Sequence, residues 1–427
     1  MSSPAAVTPG SPRQSGSRRT MILMGMMMGG AGTVDAITGN MLPITAKYFT
    51  DNAGLIAIMV ALNRICGFLV QPYAAWKSDS HHSAWGRRRP FLLISWPVTF
   101  VCVGLLGMLP FVVPAEYHRT AMMVSVLFVV NLGMQIFLDM CYGSADPLYG
   151  DTFASQELGR ATGIRTIVNN SIVFAMTAFF VPLADIHEFY PYLGAMLFLI
   201  VSMLVTMFAL KEKIPARLPP PQRYNPLKPL RELANPQTRN VAIVGSAVLV
   251  TLGLTEMLHA LFVTETLGFS KTVLGLTTSA SLMISLICPY PLGSLVDRVG
   301  ARRVMIVGFV FLMVVELGFV FWVNDLVSLY ACLILFKVAW LIVHVPMVPL
   351  IFQDTPPEKR GSIFAAVQMT RTAVTSLAVI LAGFLVHAVG SYRMCYLVAA
   401  AICLVGLYGA MKLAPKAKPA VPIAPGA

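Results

Sequence analysis

Charged and amide side chains inside long apolar runs are where this sequence could do chemistry. Asp35 stands in the middle of the run 21–46, among Gly29, Gly30, Gly32 and Gly39. In the run 120–145, Asn131, Gln135 and Asp139 recur every fourth residue, and Tyr142, Gly143 and Asp146 continue the same helical face. Neighbouring runs add Asn63, Arg64 and Gln71, then Arg165, Asn169 and Asn170. Later in the chain come Glu256 and His259, Glu316, then Lys337, Trp340 and His344, then Gln368 and Arg371. An ionisable group in hydrocarbon is costly unless it is paired or faces water, so this set implies a polar chamber inside an apolar bundle.

The chemistry such a chamber supports is binding and proton exchange. A carboxylate only accepts hydrogen bonds and a guanidinium only donates them, so together they can hold a solute rich in hydroxyls. On this reading Asp35, Arg64, Gln135, Arg165, Asn169, Glu256, Trp340 and Gln368 are candidate solute contacts. Asp139 and Asp35 are candidate proton carriers. Structural roles compete with these. Asp35 could pair with Arg64, Asp139 could pair with Arg165, and Trp340 serves equally well as a ring-stacking platform or a core residue. Glu256 and His259 form a Glu-x-x-His pair, but di-metal bundles need two copies and further glutamates, so no metal site is expected.

The elements that must position these residues are membrane helices. Of 427 residues 57% are hydrophobic and 12% charged, against about 25% charged in soluble domains. Twelve apolar segments can be traced, at about 21–46, 53–76, 90–113, 120–145, 161–186, 190–210, 240–263, 272–296, 304–324, 327–350, 362–388 and 392–413. Most approach the ~20 residues that cross ~30 Å of hydrocarbon as a helix. The alternating strands of a membrane barrel are absent. Seven cysteines without a CxxC pair suggest neither disulfides nor zinc.

The formal charge of +12 could point to nucleic acid, but the basic residues lie in short loops between apolar runs. Lys and Arg number 23 in the tails and even-numbered loops against 4 in the odd-numbered loops, which places both termini in the cytoplasm. The expected organisation is a disordered tail over 1–20, a six-helix bundle over 21–210, a cytoplasmic linker over 211–239, a second bundle over 240–413 and a tail over 414–427. Pro219-Pro220-Pro221 mark the linker. The fold class is therefore all-α, with twelve transmembrane helices in two bundles.

The bundles repeat. Between the second and third segments lies QPYAAWKSDSHHSAWGRRRPF, from Gln71 to Phe91, with Asp79 followed by Arg87, Arg88 and Arg89. Asp297-Arg298-Val-Gly300-Ala-Arg302-Arg303 occupies the matching place between the eighth and ninth. After the fourth segment comes Pro147-Leu148-Tyr-Gly-Asp151-Thr152, then Glu157, Arg160, Arg165 and Thr166. After the tenth comes Pro349-Leu350-Ile-Phe-Gln-Asp354-Thr355, then Glu358, Arg360, Arg371 and Thr372. Six helices per half preserve orientation, so the repeat is parallel. Asp79, Arg87, Arg88, Asp297, Arg298 and Arg302 are suited to latch neighbouring helix ends as a cytoplasmic gate, each partly exposed pair contributing about 0–1 kcal/mol.

Twelve segments, the parallel repeat and the Asp297–Arg303 signature resemble the major facilitator superfamily. The first-half loop, with QP ahead of SD and GRRRPF, resembles the glycoside–pentoside–hexuronide and sucrose-type sugar:cation symporters. The resemblance implies a secondary transporter in a plasma or inner membrane, working by alternating access, and a small-molecule substrate. It implies no enzymatic activity, no cofactor, no nucleic-acid partner and a monomer in the lipid bilayer. Asp35 corresponds to a sugar-contacting helix-1 Asp of melibiose-type carriers, and Asp139 falls near their cation-coupling helix-4 Asp. The two helix-2 positions where those carriers hold sodium-binding carboxylates are Gly67 and Gln71 here, so coupling to H+ is expected rather than to Na+. The alternatives are an exporter or carrier of a non-sugar metabolite or drug and, from another class, a polytopic membrane enzyme.

Overall fold

A computed structural model of the chain describes residues 18–79, 81, 83, 85–153, 158–209, 225, 227–352 and 360–413. Residues 1–17 of the tail expected over 1–20, the tail over 414–427, most of the linker, and the loop residues Glu157, Asp354 and Glu358 lie outside the described residues, and Arg18, Arg19 and Thr20 belong to the first helix rather than to the expected tail. Among the described residues every regular element is helical. Hydrocarbon offers no partner for backbone N–H and C=O groups, and a helix satisfies all of them internally.

The long helices are α1 (Arg18–Asn40), α2 (Ala53–Asp79), α3 (Arg89–Val112), α4 (Ala121–Thr152), α5 (Leu158–Ala175) and α6 (Tyr190–Leu204). They continue as α7 (Pro236–Met257), α8 (Lys271–Ile287), α9 (Ala301–Phe321), α10 (Leu326–His344), α11 (Arg360–Val389) and α12 (Arg393–Met411). Among the described residues eleven spans are long and apolar enough to cross a bilayer. The count reaches twelve when α8 and Pro289–Val296, which meet at 45°, are taken as one bent span. The sequence there, Cys288-Pro289-Tyr290-Pro291, removes backbone donors where the bend occurs. Helix α7 starts at Pro236, four residues earlier than expected, because Asn235 caps it by accepting from the Gln237 N–H at 2.9 Å. It stops at Met257, where Leu258 leaves helical geometry at φ −118° and ψ 17°, and resumes at His259.

The packing displays the duplication. In the first half α1 lies against α5 and α6, α2 against α4, and α3 against α6. In the second half α7 lies against α11 and α12, α8 against α10, and α9 against α12. Adding six to each helix number converts one set into the other. The principal contacts between halves, α2 with α11 and α5 with α8, exchange under the same operation.

The α2–α11 contact is closest at the end bearing the odd-numbered loops. A Cβ on Gly383 would stand 2.2 Å from the Ala57 Cβ and 3.0 Å from the Ala53 carbonyl. On Gly54 it would meet the Phe384 ring at 2.4 Å. Small residues let the two backbones approach. Among described residues, the hydrogen bonds and ion pairs joining the halves also lie toward this end. Lys271 pairs with Glu188, and the Lys271 and Thr272 N–H groups donate to Asp185 at 2.9 and 2.8 Å. Thr278 donates to Asn40 at 2.9 Å, and the Thr177 and Ser279 hydroxyls meet at 2.9 Å.

Gly383→Leu should therefore wedge α2 from α11 and open the odd-loop end. In a background lacking native cysteines, labelling of Ala53→Cys by a membrane-impermeant maleimide should rise several-fold when Gly383→Leu is added. Unchanged labelling would count against this closure.

Candidate functional site

Asp35 stands where the two halves meet. Its Oδ1 accepts from Asn63 Nδ2 at 2.8 Å and its Oδ2 from the Tyr142 hydroxyl at 2.6 Å. Gln135 lies behind this pair. Its Oε1 accepts from Asn63 at 3.3 Å and its Nε2 donates to Thr38 at 3.4 Å. Helices α1, α2 and α4 thus hold one carboxylate with a phenol donor and an amide donor, the amide being shared with Gln135.

The carboxylate faces a cavity of about 200 Å³. From the first half it is lined by Asp35, Gly39 and Asn40 of α1 and by Val173 and Thr177. From the second it is lined by Thr255, Glu256 and His259, by Thr278 and Ser281 of α8, and by Phe336 and Lys337 of α10. An adjoining space of about 170 Å³ shares Asp35, Gly39 and Glu256 and adds Asn63 and Arg64. Glu256 lies 3.5 Å from Lys337. Arg64 lies in the field of both Glu256 and Asp35, but forms no ion pair with Asp35. It reaches α7 because Gly253 has no side chain: a Cβ there would come within 3.4 Å of the guanidinium. Two acids and two bases thus ring a space enclosed by both halves.

Several expected residues are placed elsewhere. Asp139 is not paired with Arg165. Its Oδ1 accepts from Gln71 Nε2 at 2.6 Å, and its buried Oδ2 has no partner. Arg165 instead meets Asp146 at 2.6 Å, nearer the even-loop end. Asn169 donates to Asn170 at 3.4 Å and packs against Gly32. Trp340 is buried, with its indole N–H donating to the Val248 carbonyl at 3.1 Å and its ring stacked on His344 at 4.2 Å. That is the core role. Gln368 has a buried Oε1 without a partner. Gln135, Arg165, Asn169, Trp340 and Gln368 are not among the described residues that line the cavity.

The described contacts of the candidate gate residues lie within a half. Arg88 bonds Asp79 at 2.6 Å and Ser78 at 3.2 Å, with Arg87 3.9 Å from Asp79, so the α2 end is tied to the α3 start. Arg302 donates to the Met411 carbonyl at 2.6 Å and ties α9 to α12. Arg298 is exposed, and the Asp297 side chain lies outside those described.

Asn40, Thr278 and Ser281 were not singled out by sequence. The signal available was the small polar run Thr277-Thr278-Ser279-Ala280-Ser281 within an apolar segment. The i, i+3 spacing of Glu256 and His259 predicts that they share one face of a continuous helix. The helix breaks between them, yet both reach the cavity.

A family model described as MFS/sugar transport protein matches residues 22–325, and the Major Facilitator Superfamily model matches 241–426. The chain belongs to the major facilitator superfamily. No curated protein sequence matches it significantly. Among solved structures it is similar to a crystal structure of a point mutant of the nucleoside transporter NupG, with TM-score 0.72 and 16% identity over 92% of this chain and 98% of that one. Another NupG structure gives 0.69 at 14% identity over 91% and 98%. An auto-inhibited POT family peptide transporter gives 0.67 at 12% identity over 95% and 99%. This superfamily member is a multi-pass membrane transporter of a small molecule, not an enzyme.

The odd-loop end also carries a polar latch between the halves. Lys47 lies 3.3 Å from Glu265 and donates to the Tyr392 hydroxyl at 3.5 Å, and Tyr392 donates to Glu265 at 2.9 Å. Burial works against the Lys47 charge, but Tyr392 and Glu265 outweigh it and hold the amine above its ordinary 10.5. Burial, then the Glu265 charge, pushes the Tyr392 hydroxyl up to about 12. A raised lysine contributes fully below its ordinary value and loses its contribution as pH climbs through the raised one. Labelling of Ala53→Cys should accordingly increase in Lys47→Met at neutral pH, and in the unaltered latch only above pH 10.5. Equal labelling of the two at neutral pH would show that the latch does not hold the halves.

Proposed function

We propose that the transporter carries an uncharged, hydroxyl-rich solute of the sugar class together with a proton, by alternating access between the halves. The observation that carries the reading is the balanced lining of the cavity. Asp35 and Glu256 accept, and Arg64 and Lys337 donate, so the ring favours neither a cationic nor an anionic solute. Sugar hydroxyls donate and accept at once and can use both kinds of group. The match of residues 22–325 to the sugar-transport family model supports this choice. The two adjoining spaces, about 200 and 170 Å³, together reach only the lower end of the ~300–1,000 Å³ of drug-sized sites, which favours a single sugar ring over a long glycoside. Nucleosides offer the same hydroxyl pattern through their ribose, and the likeness to NupG makes them the natural comparator.

Proton coupling rests on Asp139. A sodium ion needs several oxygen ligands, whereas Asp139 has Gly67 beside it and the amide of Gln71 donating to it. Its partnerless Oδ2 can be completed by a proton without any coordination shell. The odd-loop end is taken as external, following the excess of basic residues in the even loops. Solute and proton then load when that end is open. They leave when the halves rock to the closed arrangement described above.

The test is uptake of labelled monosaccharides into proteoliposomes under an inward pH gradient, with nucleosides in parallel. Monosaccharide accumulation dissipated by a protonophore is expected. Accumulation of nucleosides alone would overturn the sugar assignment. Asp139→Asn should lower uphill uptake at least tenfold while counterflow persists, and retained uphill uptake would overturn the coupling role. Asp35→Asn should weaken solute affinity about tenfold or more, since a charged hydrogen bond is worth about 1.5–3 kcal/mol.

A further inference from the structure

Glu316 takes no part in the site above, yet it is fully buried in the last third of α9. Its Oε1 lies 2.7 Å from the Thr255 hydroxyl, and its Oε2 has no partner. The other titratable groups nearest it are the thiols of Cys332 on α10 and of Cys395 and Cys403 on α12, with the phenol of Tyr396. Tyr396 is engaged with His259 at 3.0 Å. No described lysine, arginine or histidine forms an ion pair with Glu316.

The Thr255 hydroxyl is the informative group. It lies 2.7 Å from Glu316 Oε1 and also 2.9 Å from the Thr251 carbonyl. Both are acceptors when the glutamate is ionised, and a hydroxyl has one hydrogen. With a carboxylate, one short contact would bring two acceptors together without a proton between them. With a carboxylic acid both contacts are satisfied: Glu316 donates to Thr255, and Thr255 donates to Thr251. Thr255 also lines the cavity between the halves.

We infer that Glu316 is a second proton-binding site, in the opposite half from Asp35 and Asp139, linked to the solute cavity by the Thr255 hydroxyl. Release is a relay. Thr255 first turns its hydroxyl hydrogen from the Thr251 carbonyl toward water in the cavity. The O–H bond of Glu316 then breaks as one forms on the Thr255 oxygen, the hydrogen Thr255 held passes to that water, and the carboxylate left behind accepts from the new Thr255 O–H. The inference goes beyond the sugar–proton reading of the cavity and is tested without any solute, so either can fail alone.

The experiment is infrared spectroscopy of the full chain in nanodiscs across a pH series, following the C=O stretch of protonated carboxyl groups. Glu316→Gln should remove one titrating component of that band. Thr255→Val keeps the acid but removes its acceptor, and should shift the same component in frequency and in titration midpoint. Should Glu316→Gln fold poorly, the Thr255→Val shift still decides. A band unchanged in either variant would overturn the proposal.

Discussion

Everything in this protein depends on where charge can survive in hydrocarbon. An isolated carboxylate or guanidinium facing lipid costs several kcal/mol at least. The chain limits that cost by burying Asp139 and Glu316 inside a half, each against a polar side chain, and by gathering two acids and two bases where the two six-helix bundles face each other. Asp35, Arg64, Glu256 and Lys337 are each tolerable there because the others are present. The same constraint that keeps them inside also puts them on the path we propose for the solute.

A site shared between halves is only useful if the halves can move, and the contacts between them suit motion. They include small residues in van der Waals contact, such as Gly54, Ala57 and Gly383, a buried hydroxyl pair of Thr177 with Ser279, and a few partly exposed polar pairs, such as Lys47 with Glu265. Exposed pairs are individually weak, so such an interface can be broken repeatedly at modest cost. By contrast, Asp79 with Arg88, and Arg302 with the Met411 carbonyl, stiffen each half internally. Rigid halves and a loosely held seam are the mechanical requirements of rocking.

Much of this was legible in the sequence because its signals are long or local. Twelve apolar runs, the basic loops and the repeated Asp–Arg signatures need only composition and spacing. Asp35 stood out because a charge among glycines in an apolar run has few explanations. Pairing was not legible. The i, i+4 stripe Asn131–Gln135–Asp139 fixes a helical face but not which neighbour that face meets, so Asp139 was offered Arg165 when Gln71 holds it and Asp146 takes the arginine. Trp340 had two equal readings, and a single carbonyl, that of Val248, decided for the core. The break at Leu258 has no proline or glycine to announce it, so Glu256 and His259 read as one continuous turn. Asn40, Thr278 and Ser281 passed unnoticed because small polar residues are cheap in membrane helices and common there.

The central claim is that two rigid halves exchange access to one shared chamber. Pulsed electron paramagnetic resonance between spin labels at Glu116 and Val327, exposed odd-loop sites on opposite halves, measures this directly in nanodiscs. The account predicts two distance populations whose ratio changes between acid and neutral pH, the shorter one matching the closed arrangement described here. A single distance that stays fixed across pH would contradict it.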